Sequence, residues 1–187
     1  MREAFVAARD ALREGKAVGE ILSDVDRRAS FAGTMRTNMI RMLDSIGLAE
    51  ALGIASTADL FGADEGLVHT TSALRYPVFV DGRNYGGTNP TVPRSELLQG
   101  YVRELLGPEL VAVPDALIVP LGKAVETCLG LLVSDGSLQA HRCLFGFPHP
   151  SGGNGHRKRQ FRENRERLTQ EILDWAATLP SRAAQAS

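Results

Sequence analysis

A histidine flanked by two prolines stands where an apolar stretch of the chain gives way to a basic one. The stretch CLFGFPHPSGGNGHRKRQFRENRERL covers residues 143–168, and Pro148 and Pro150 lie on either side of His149. Proline fixes its own φ and keeps the residue before it extended, so the imidazole is predicted to project from a stiff frame. A plain surface turn does not require a histidine held in this way.

The residues that follow His149 suit the binding of an anion. A hydroxyl and two glycines come first, and glycine lets a partner approach the backbone closely. A helix is predicted to begin near residue 157, and its N-terminal amides favour negative charge. Residues 156–167 contain six Lys or Arg and two Glu, a local excess of +4. The alternative is a solvated helix face beside a structural turn.

Composition limits where a nucleic-acid partner can bind. The chain has 187 residues and a formal net charge of −1, so any affinity for DNA must come from a local patch. Two cysteines, Cys128 and Cys143, provide neither a disulfide framework nor a metal quartet, and both are predicted to be core residues. The histidines show no metal-ligand spacing. Without a signal peptide or a membrane span, a cytoplasmic protein is expected.

Helical and extended patterns alternate along the chain. Helices are predicted over residues 2–15, 33–48, 94–106, 122–133 and from about 157 to 178, with Ser95 near the start of the third and Gly107 at its end. Strands are predicted at GLVHTTSAL (66–74), DALIVPLG (115–122) and HRCLFGF (141–147), and the Gly- and Pro-rich residues 76–94 form a long loop. The alternation favours one α/β domain over residues 1–187: a three-layer α/β/α sandwich with a short, mostly parallel central sheet and a disordered tail at 180–187. The 76–94 loop and the 148–156 bend are then expected on the same rim, beyond the carboxyl ends of the strands.

These motifs together resemble the uracil-DNA glycosylase superfamily. FPHPSGGNGHR is similar to the His-Pro-Ser motif of that superfamily, and DALIVPLGKAVE to its penultimate strand. HTTSALRYP resembles its central segment, and DVDRRASFAGTMRTNMIRMLDSIGL the stretch after its first motif. The order holds over roughly residues 20 to 175, and the pattern is nearest to that of the thermophile-type members.

The resemblance implies a role for each residue of the motifs. His149 is the donor that faces a carbonyl oxygen of a base flipped out of the DNA, and Phe31 stacks on that base or, equally well, packs in the core. Ser151 and Asn154 are assigned to the substrate. The remaining residues would grip the DNA backbone without reading its sequence: Gly152, Gly153, His156, Arg157, Lys158 and Arg159.

Three departures from the superfamily pattern bear on activity. The first motif, which carries a water-positioning acid or Asn, is degenerate; Glu20 is the candidate, with Asp24 and Asp26 as alternatives, and each also suits a solvated surface carboxylate. Ser72 stands where an Asn commonly reads the base edge, so another base than uracil is possible. Two cysteines cannot hold the iron–sulfur cluster of the thermophile-type members, so no cofactor and no metal is expected.

The sequence therefore predicts a monomeric DNA glycosylase that cleaves the N-glycosidic bond of uracil or another deaminated or damaged base in single- or double-stranded DNA. A second class remains open: a weak or inactive relative that binds a nucleotide or nucleic acid without turnover. A small-molecule hydrolase is disfavoured because it leaves the basic cluster unexplained. No membrane partner is expected.

Overall fold

The fold is built from helices joined by extended and turn segments. A computed structural model describes residues 2–21, 31, 33–62 and 65–179, apart from the side chains of residues 2–5 and 65. The α-helices are α1 Arg2–Arg13, α2 Thr34–Asp44, α3 Leu48–Leu52, α4 Glu96–Tyr101, α5 Gly107–Val111, α6 Lys123–Ser134 and α7 Arg157–Thr178. A π-helical turn, Val102–Leu106, joins α4 to α5, and short 3₁₀ turns lie at Asp59–Phe61, Glu65–Leu67, Val92–Arg94 and Ala140–Arg142. The predicted tail at 180–187 lies outside the described residues.

The predicted α/β/α sandwich with a parallel sheet is wrong. Among the described residues, the sheet consists of two antiparallel strands, β1 Phe79–Val80 and β2 Arg83–Asn84, inside what was predicted as a loop. The predicted strand at 66–74 begins on the 3₁₀ turn Glu65–Leu67, and the residues after this turn have no strand structure. The runs 115–122 and 141–147 do lie side by side and parallel, but they share a single bridge, between Ile118 and Cys143.

Proline explains why that bridge does not extend into a ladder. The amide of Ile118 donates to Arg142 O at 2.7 Å, and the amide of Leu144 donates to Ile118 O at 2.9 Å. The next donor in a parallel ladder is residue 120, which is Pro120 and has no N–H. The donor after that, the amide of Gly146, is taken by the side-chain oxygen Oε1 of Glu126. The apolar pattern therefore gave the wrong pairing, and the burial it predicted holds for most of 141–147, whereas 115–122 is mostly half-buried.

The two extended runs separate two hydrophobic cores. Neighbouring residues face opposite sides: Leu117 and Val119 pack against the first core and Ile118 against the second, and likewise Leu144 belongs to the first core and Cys143 to the second. The first core is completed by α2, α3 and α7 through Met39, Met42, Leu43, Ile46, Leu48, Leu168, Ile172 and Trp175. The second is completed by Val92, Leu98, Val102, Leu106, Leu110, Cys128, Leu129, Leu132 and Leu138. The bend at residues 148–156 therefore follows directly after a segment that is packed between the two cores.

Both cysteines are buried and unpaired, as predicted for core residues. Burial raises the pKa of the Cys128 thiol to about 11 and that of the Cys143 thiol to about 11. A thiol with so high a pKa carries almost no thiolate at neutral pH, so neither cysteine is placed as a nucleophile. In the part of the chain that the structure describes, no helix is long and apolar enough to cross a membrane.

Candidate functional site

The bend around His149 is fixed by hydrogen bonds to its backbone carbonyls. Pro148 and Pro150 are buried. Asn38 of α2 donates from Nδ2 to Pro150 O at 2.9 Å, and Asn154 donates from Nδ2 to His149 O at 3.2 Å. Arg157 donates from Nη1 to Ser151 O at 2.5 Å. Side chains from α2, from α7 and from the turn before α7 therefore hold the backbone of residues 149–151. These contacts fix the bend without strand pairing.

The hydrogen bond at the His149 ring selects its tautomer. The half-buried imidazole accepts at Nδ1 from the backbone N–H of Ser151, with N to Nδ1 3.2 Å. An accepting Nδ1 carries no proton, so the neutral ring carries its proton on Nε2. Within the described residues Nε2 has no hydrogen-bond partner of its own. The site thus presents one N–H donor on a ring whose other nitrogen is occupied.

A glycine at the start of α6 makes room for the His149 ring. A Cβ on Gly122 would lie 3.1 Å from His149 Cβ and 3.2 Å from His149 Cδ2, closer than ordinary contacts allow. Gly122 also has φ 97°, a conformation that other residues adopt only with strain. The long loop approaches the same helix end, since a Cβ on Gly87 would contact Ala124 Cβ at 3.5 Å. The loop and the bend therefore both lie next to the first turn of α6, although the sheet rim on which they were expected is absent from the described residues.

The basic residues of α7 divide into structural and exposed ones. Arg157 is half-buried on the bend, Arg165 donates to Ser45 O, and Arg167 pairs with Glu171 and donates to Phe145 O. The side chains of Lys158, Arg159 and Arg162 are exposed, and their spacing puts them on one face of the helix. Among the described residues their closest acidic partner is Glu163, 3.9 Å from Arg159. We call Lys158, Arg159 and Arg162 the basic stripe.

The predicted site residues at the bend are brought together, whereas two others lie elsewhere. Ser151, Gly152, Gly153, Asn154 and His156 all lie in the turn between His149 and α7. Both ends of the Asn154 amide are used within this region, because Oδ1 accepts from the N–H of His156 and Nδ2 also donates to Gln160 Oε1. Phe31 is half-buried and packs against the first core. Its predicted contact with a base stays a prediction.

Ser72 and Glu20 are exposed, and no described hydrogen bond joins either of them to the bend. The segment around Ser72 is tied instead to Glu109 of α5. His69 Nε2 lies 2.6 Å from Glu109 Oε1, and Thr71 donates from Oγ1 to Glu109 Oε2 at 3.0 Å. Burial acts to raise the pKa of Glu109, but these hydrogen bonds and the charge of Arg75 hold it below its ordinary value. Asp24 and Asp26, the alternatives to Glu20, lie outside the described residues.

Sequence reasoning missed Asn38 and the packing role of Gly122. Asn38 lies three residues after Met35 and four before Met42, inside the apolar stripe of α2. A polar side chain inside such a stripe needs a hydrogen-bond partner, and this was the signal that pointed to a buried contact. Gly122 is part of the motif DALIVPLGKAVE, but its closeness to His149 depends on the fold and is not readable from the sequence.

The site contains no cluster suited to a metal. Within the ranges that the structure describes, no group of three His, Cys, Asp or Glu side chains is arranged to hold an ion. The functional groups of the site are an imidazole N–H donor, backbone amides of a glycine-rich turn and exposed cationic side chains. These groups can bind and stabilise negative charge.

Comparison with known proteins gives a relative whose activity has not been determined. No known family profile matches the chain, and no solved structure matches it. The uncharacterized protein YoxB of Bacillus subtilis (strain 168) is 44% identical over 178 residues, which cover 95% of this chain and 70% of YoxB. Identity at that level over most of both proteins establishes common descent, and the chain belongs to the same family as YoxB.

Proposed function

We propose that the protein is a DNA glycosylase that releases uracil or another deaminated or damaged base by cleaving its N-glycosidic bond. The observation that carries the proposal is the state of His149, whose Nδ1 accepts the Ser151 amide so that Nε2–H is left as a donor. The proposal rests on this local geometry and on the resemblance of the His-Pro-Ser motif. It does not rest on a parallel sheet, which the protein lacks.

The chemistry of base release needs a donor of this kind. As the glycosidic bond breaks, positive charge develops on the sugar and negative charge on the departing base. A donor already aimed at the developing oxyanion lowers the barrier by about 3–4 kcal/mol in sites of this type. Here Nε2–H of His149 would donate to a carbonyl oxygen of the base. The bend held by Asn38, Asn154 and Arg157 keeps the ring in place while the charge moves.

The DNA would be held by the basic stripe. A base can reach His149 only after the nucleotide has left the stack, so the phosphates beside it must be gripped firmly. Lys158 and Arg159 lie in the first turn of α7, at the positive end of its dipole. Positive side chains there are unfavourable unless an anion is nearby, and a DNA phosphate supplies one. The basic stripe therefore supports an anionic partner beside His149.

One observation favours the second candidate function, a nucleic-acid-binding protein without turnover. Glu20, the candidate for positioning water, is exposed, and no described hydrogen bond links it to the bend. A protein that kept the donor and the basic stripe but lacked a water-positioning group would bind DNA and release no base. The two functions therefore share the same surface and differ in turnover.

The test is a measurement of free base from purified protein. Single- and double-stranded oligonucleotides containing uracil, hypoxanthine or xanthine are incubated with wild type, His149→Ala and, as a matched histidine control, His141→Ala, which is exposed and lies apart from the bend. We expect release from at least one substrate, a loss of about 10²- to 10³-fold for His149→Ala, and no loss for His141→Ala. Saturable DNA binding without release from any substrate would establish the binding protein instead. Undiminished release by His149→Ala would refute the assigned donor.

A further inference from the structure

A second candidate site lies at the opposite end of the two extended runs. A cavity of about 440 Å³ is lined by Val111, Pro114, Asp115, Gly136, Ser137, Gln139, His141, Arg142, Trp175 and Thr178. Asp115 and Arg142 lie near the beginning of the runs 115–122 and 141–147, whereas Gly122 and His149 lie at or beyond their ends, so the cavity is separate from the bend. Its volume falls within the range of small-molecule sites, roughly 300–1,000 Å³.

The cavity is lined by a buried cation, Arg142, that forms no ion pair with any described carboxylate. Arg142 is 9% exposed. Its guanidinium donates from Nε to Ala116 O at 3.2 Å and from Nη2 to Leu110 O at 3.3 Å and to Val113 O. No ion pair within the described ranges involves Arg142, although a buried charge is normally paired because its desolvation is costly.

The remaining nitrogen of this guanidinium is free to bind a ligand. Nη1 donates to none of the described residues and is not fully buried, and Arg142 is part of the cavity lining, so Nη1 is the nitrogen that remains for a ligand there. The neighbouring His141 is exposed and lines the same cavity, which adds a second donor. Both groups suit an oxyanion, and guanidinium binds carboxylate and phosphate oxygens well.

The remaining lining residues indicate the chemical character of the rest of the ligand. Val111, Pro114 and Trp175 give the cavity an apolar part, and the indole of Trp175 is fixed by its donation from Nε1 to Asp115 O at 2.9 Å. We propose that this cavity binds a small organic molecule that carries one oxyanion, phosphate or carboxylate, at Arg142 and an apolar body against Trp175. This site is independent of the proposed glycosylase activity.

The single tryptophan of the chain makes the proposal directly testable. Fluorescence of Trp175 is titrated with phenyl phosphate and benzoate, with phenol and benzamide as uncharged counterparts, and with inorganic phosphate. We expect a saturable change with at least one of the two organic anions and none with its neutral counterpart over the same range. Whichever anion saturates identifies the oxyanion, and a response to inorganic phosphate alone, or to no probe, overturns the proposal.

Two isosteric variants test the role of charge while leaving Arg142 and its structural hydrogen bonds in place. Asp115→Asn removes a negative charge from the lining and keeps the backbone carbonyl that binds Trp175, whereas Gln139→Glu adds a negative charge on an exposed side chain. The dissociation constant of the organic anion should fall by about five-fold in the first and rise by about five-fold in the second, as one unit charge at a wet site predicts. Equal affinity in both variants overturns the proposal. Removal of His149 should leave this binding unchanged.

Discussion

Asn38 donates a hydrogen bond from its side-chain Nδ2 to the backbone carbonyl of Pro150, across a distance of 2.9 Å and 112 positions in the sequence. The contact joins α2 to the bend that carries His149. Asn38 is a polar residue on an otherwise apolar helix face. Its side-chain amide is satisfied there because it binds the carbonyl of the buried Pro150. The position of the imidazole therefore depends on a helix that contributes no catalytic group of its own.

Replacing Asn38 by Ala should destabilise the protein and loosen the bend. The Pro150 carbonyl would lose its shorter hydrogen bond and keep only the one from Arg157 Nη1 at 3.5 Å, which costs about 1 kcal/mol. Chemical denaturation measures that loss, and hydrogen exchange at the Ser151 amide, which donates to His149, should become faster. Under the proposed function, base release should fall as well.

Thr37→Ala is the matched control for Asn38→Ala. Thr37 is the preceding residue on α2, is exposed, and donates within its own helix to Gly33 O at 3.3 Å. It should change the free energy of unfolding by less than about 0.5 kcal/mol and leave exchange at Ser151 unaltered. If both variants behave alike, the Asn38 contact does not hold the bend.

Gly122→Ala should displace the His149 ring. The added methyl group would meet His149 Cβ at 3.1 Å, and the φ of 97° is strained for alanine. We expect a loss of stability of about 1–3 kcal/mol and a changed ring environment, which the imidazole resonances in NMR spectra report.

Gly130→Ala, on the same helix, is expected to have the opposite effect on stability. Nothing lies within 4 Å of a Cβ at residue 130, and alanine favours a helix by about 0.5–1 kcal/mol over glycine. This variant should be neutral or more stable, with unchanged imidazole resonances. A neutral Gly122→Ala would show that the close approach to His149 is unimportant.

The longer helices were predictable from the sequence because each rested on local signals, whereas the short helices α3 and α5 were not predicted. The last helix was expected from about residue 157 to 178 and is Arg157–Thr178, and Ser95 caps α4 by accepting from the Leu98 amide. Gly107 was expected to end the third predicted helix, but it is buried and begins α5. A Cβ there would lie 3.4 Å from Leu132 Cδ2, so this glycine serves packing between helices, which no local pattern reveals.

Sheet formation was not predictable, because it depends on which backbone donors are available between distant segments. The runs 115–122 and 141–147 have the apolar character of buried strands, yet Pro120 removes the donor that a second bridge needs. At the candidate site, the residues from His149 to Arg157 could be predicted to lie together because they are neighbours in the sequence. Asn38 and Gly122 reach His149 through the tertiary fold, and that information is not contained in a motif.

Asp44 should make the stability of the protein sensitive to acid. Thr57 donates to Asp44 Oδ1 from its hydroxyl at 2.7 Å and from its amide at 2.8 Å, and Ser56 donates to Oδ2 at 2.7 Å. Burial acts to raise the pKa of Asp44, but these donors outweigh it and hold the pKa of this carboxyl below its ordinary value. A depressed pKa contributes stability above the unfolded-state value, about 3.9, and that contribution is lost as the pH falls through the folded-state pKa.

Asp44→Asn should therefore cost about 1–3 kcal/mol near pH 7 and progressively less below pH 4, because the wild-type advantage fades there. The free energy of unfolding measured by denaturant titration from pH 7 to pH 2.5 gives both values. Glu50→Gln, an exposed change on α3, should follow the wild-type curve. A difference between Asp44→Asn and wild type that stays constant with pH would contradict the role of the carboxylate.

Lys158→Ala should weaken DNA binding and reduce the dependence of the affinity on salt concentration. Each phosphate contact that is lost lowers the slope of log affinity against log salt concentration by about 1, since one counterion fewer is released. Lys158 is exposed on the basic stripe beside the bend. Arg41→Ala changes the net charge equally on an exposed position of α2 and should leave the slope unaltered. Because a phosphate contact reads no bases, the loss from Lys158→Ala should be the same for oligonucleotides of different sequence. Equal slopes for the two variants would mean that general charge, rather than the basic stripe, attracts the DNA.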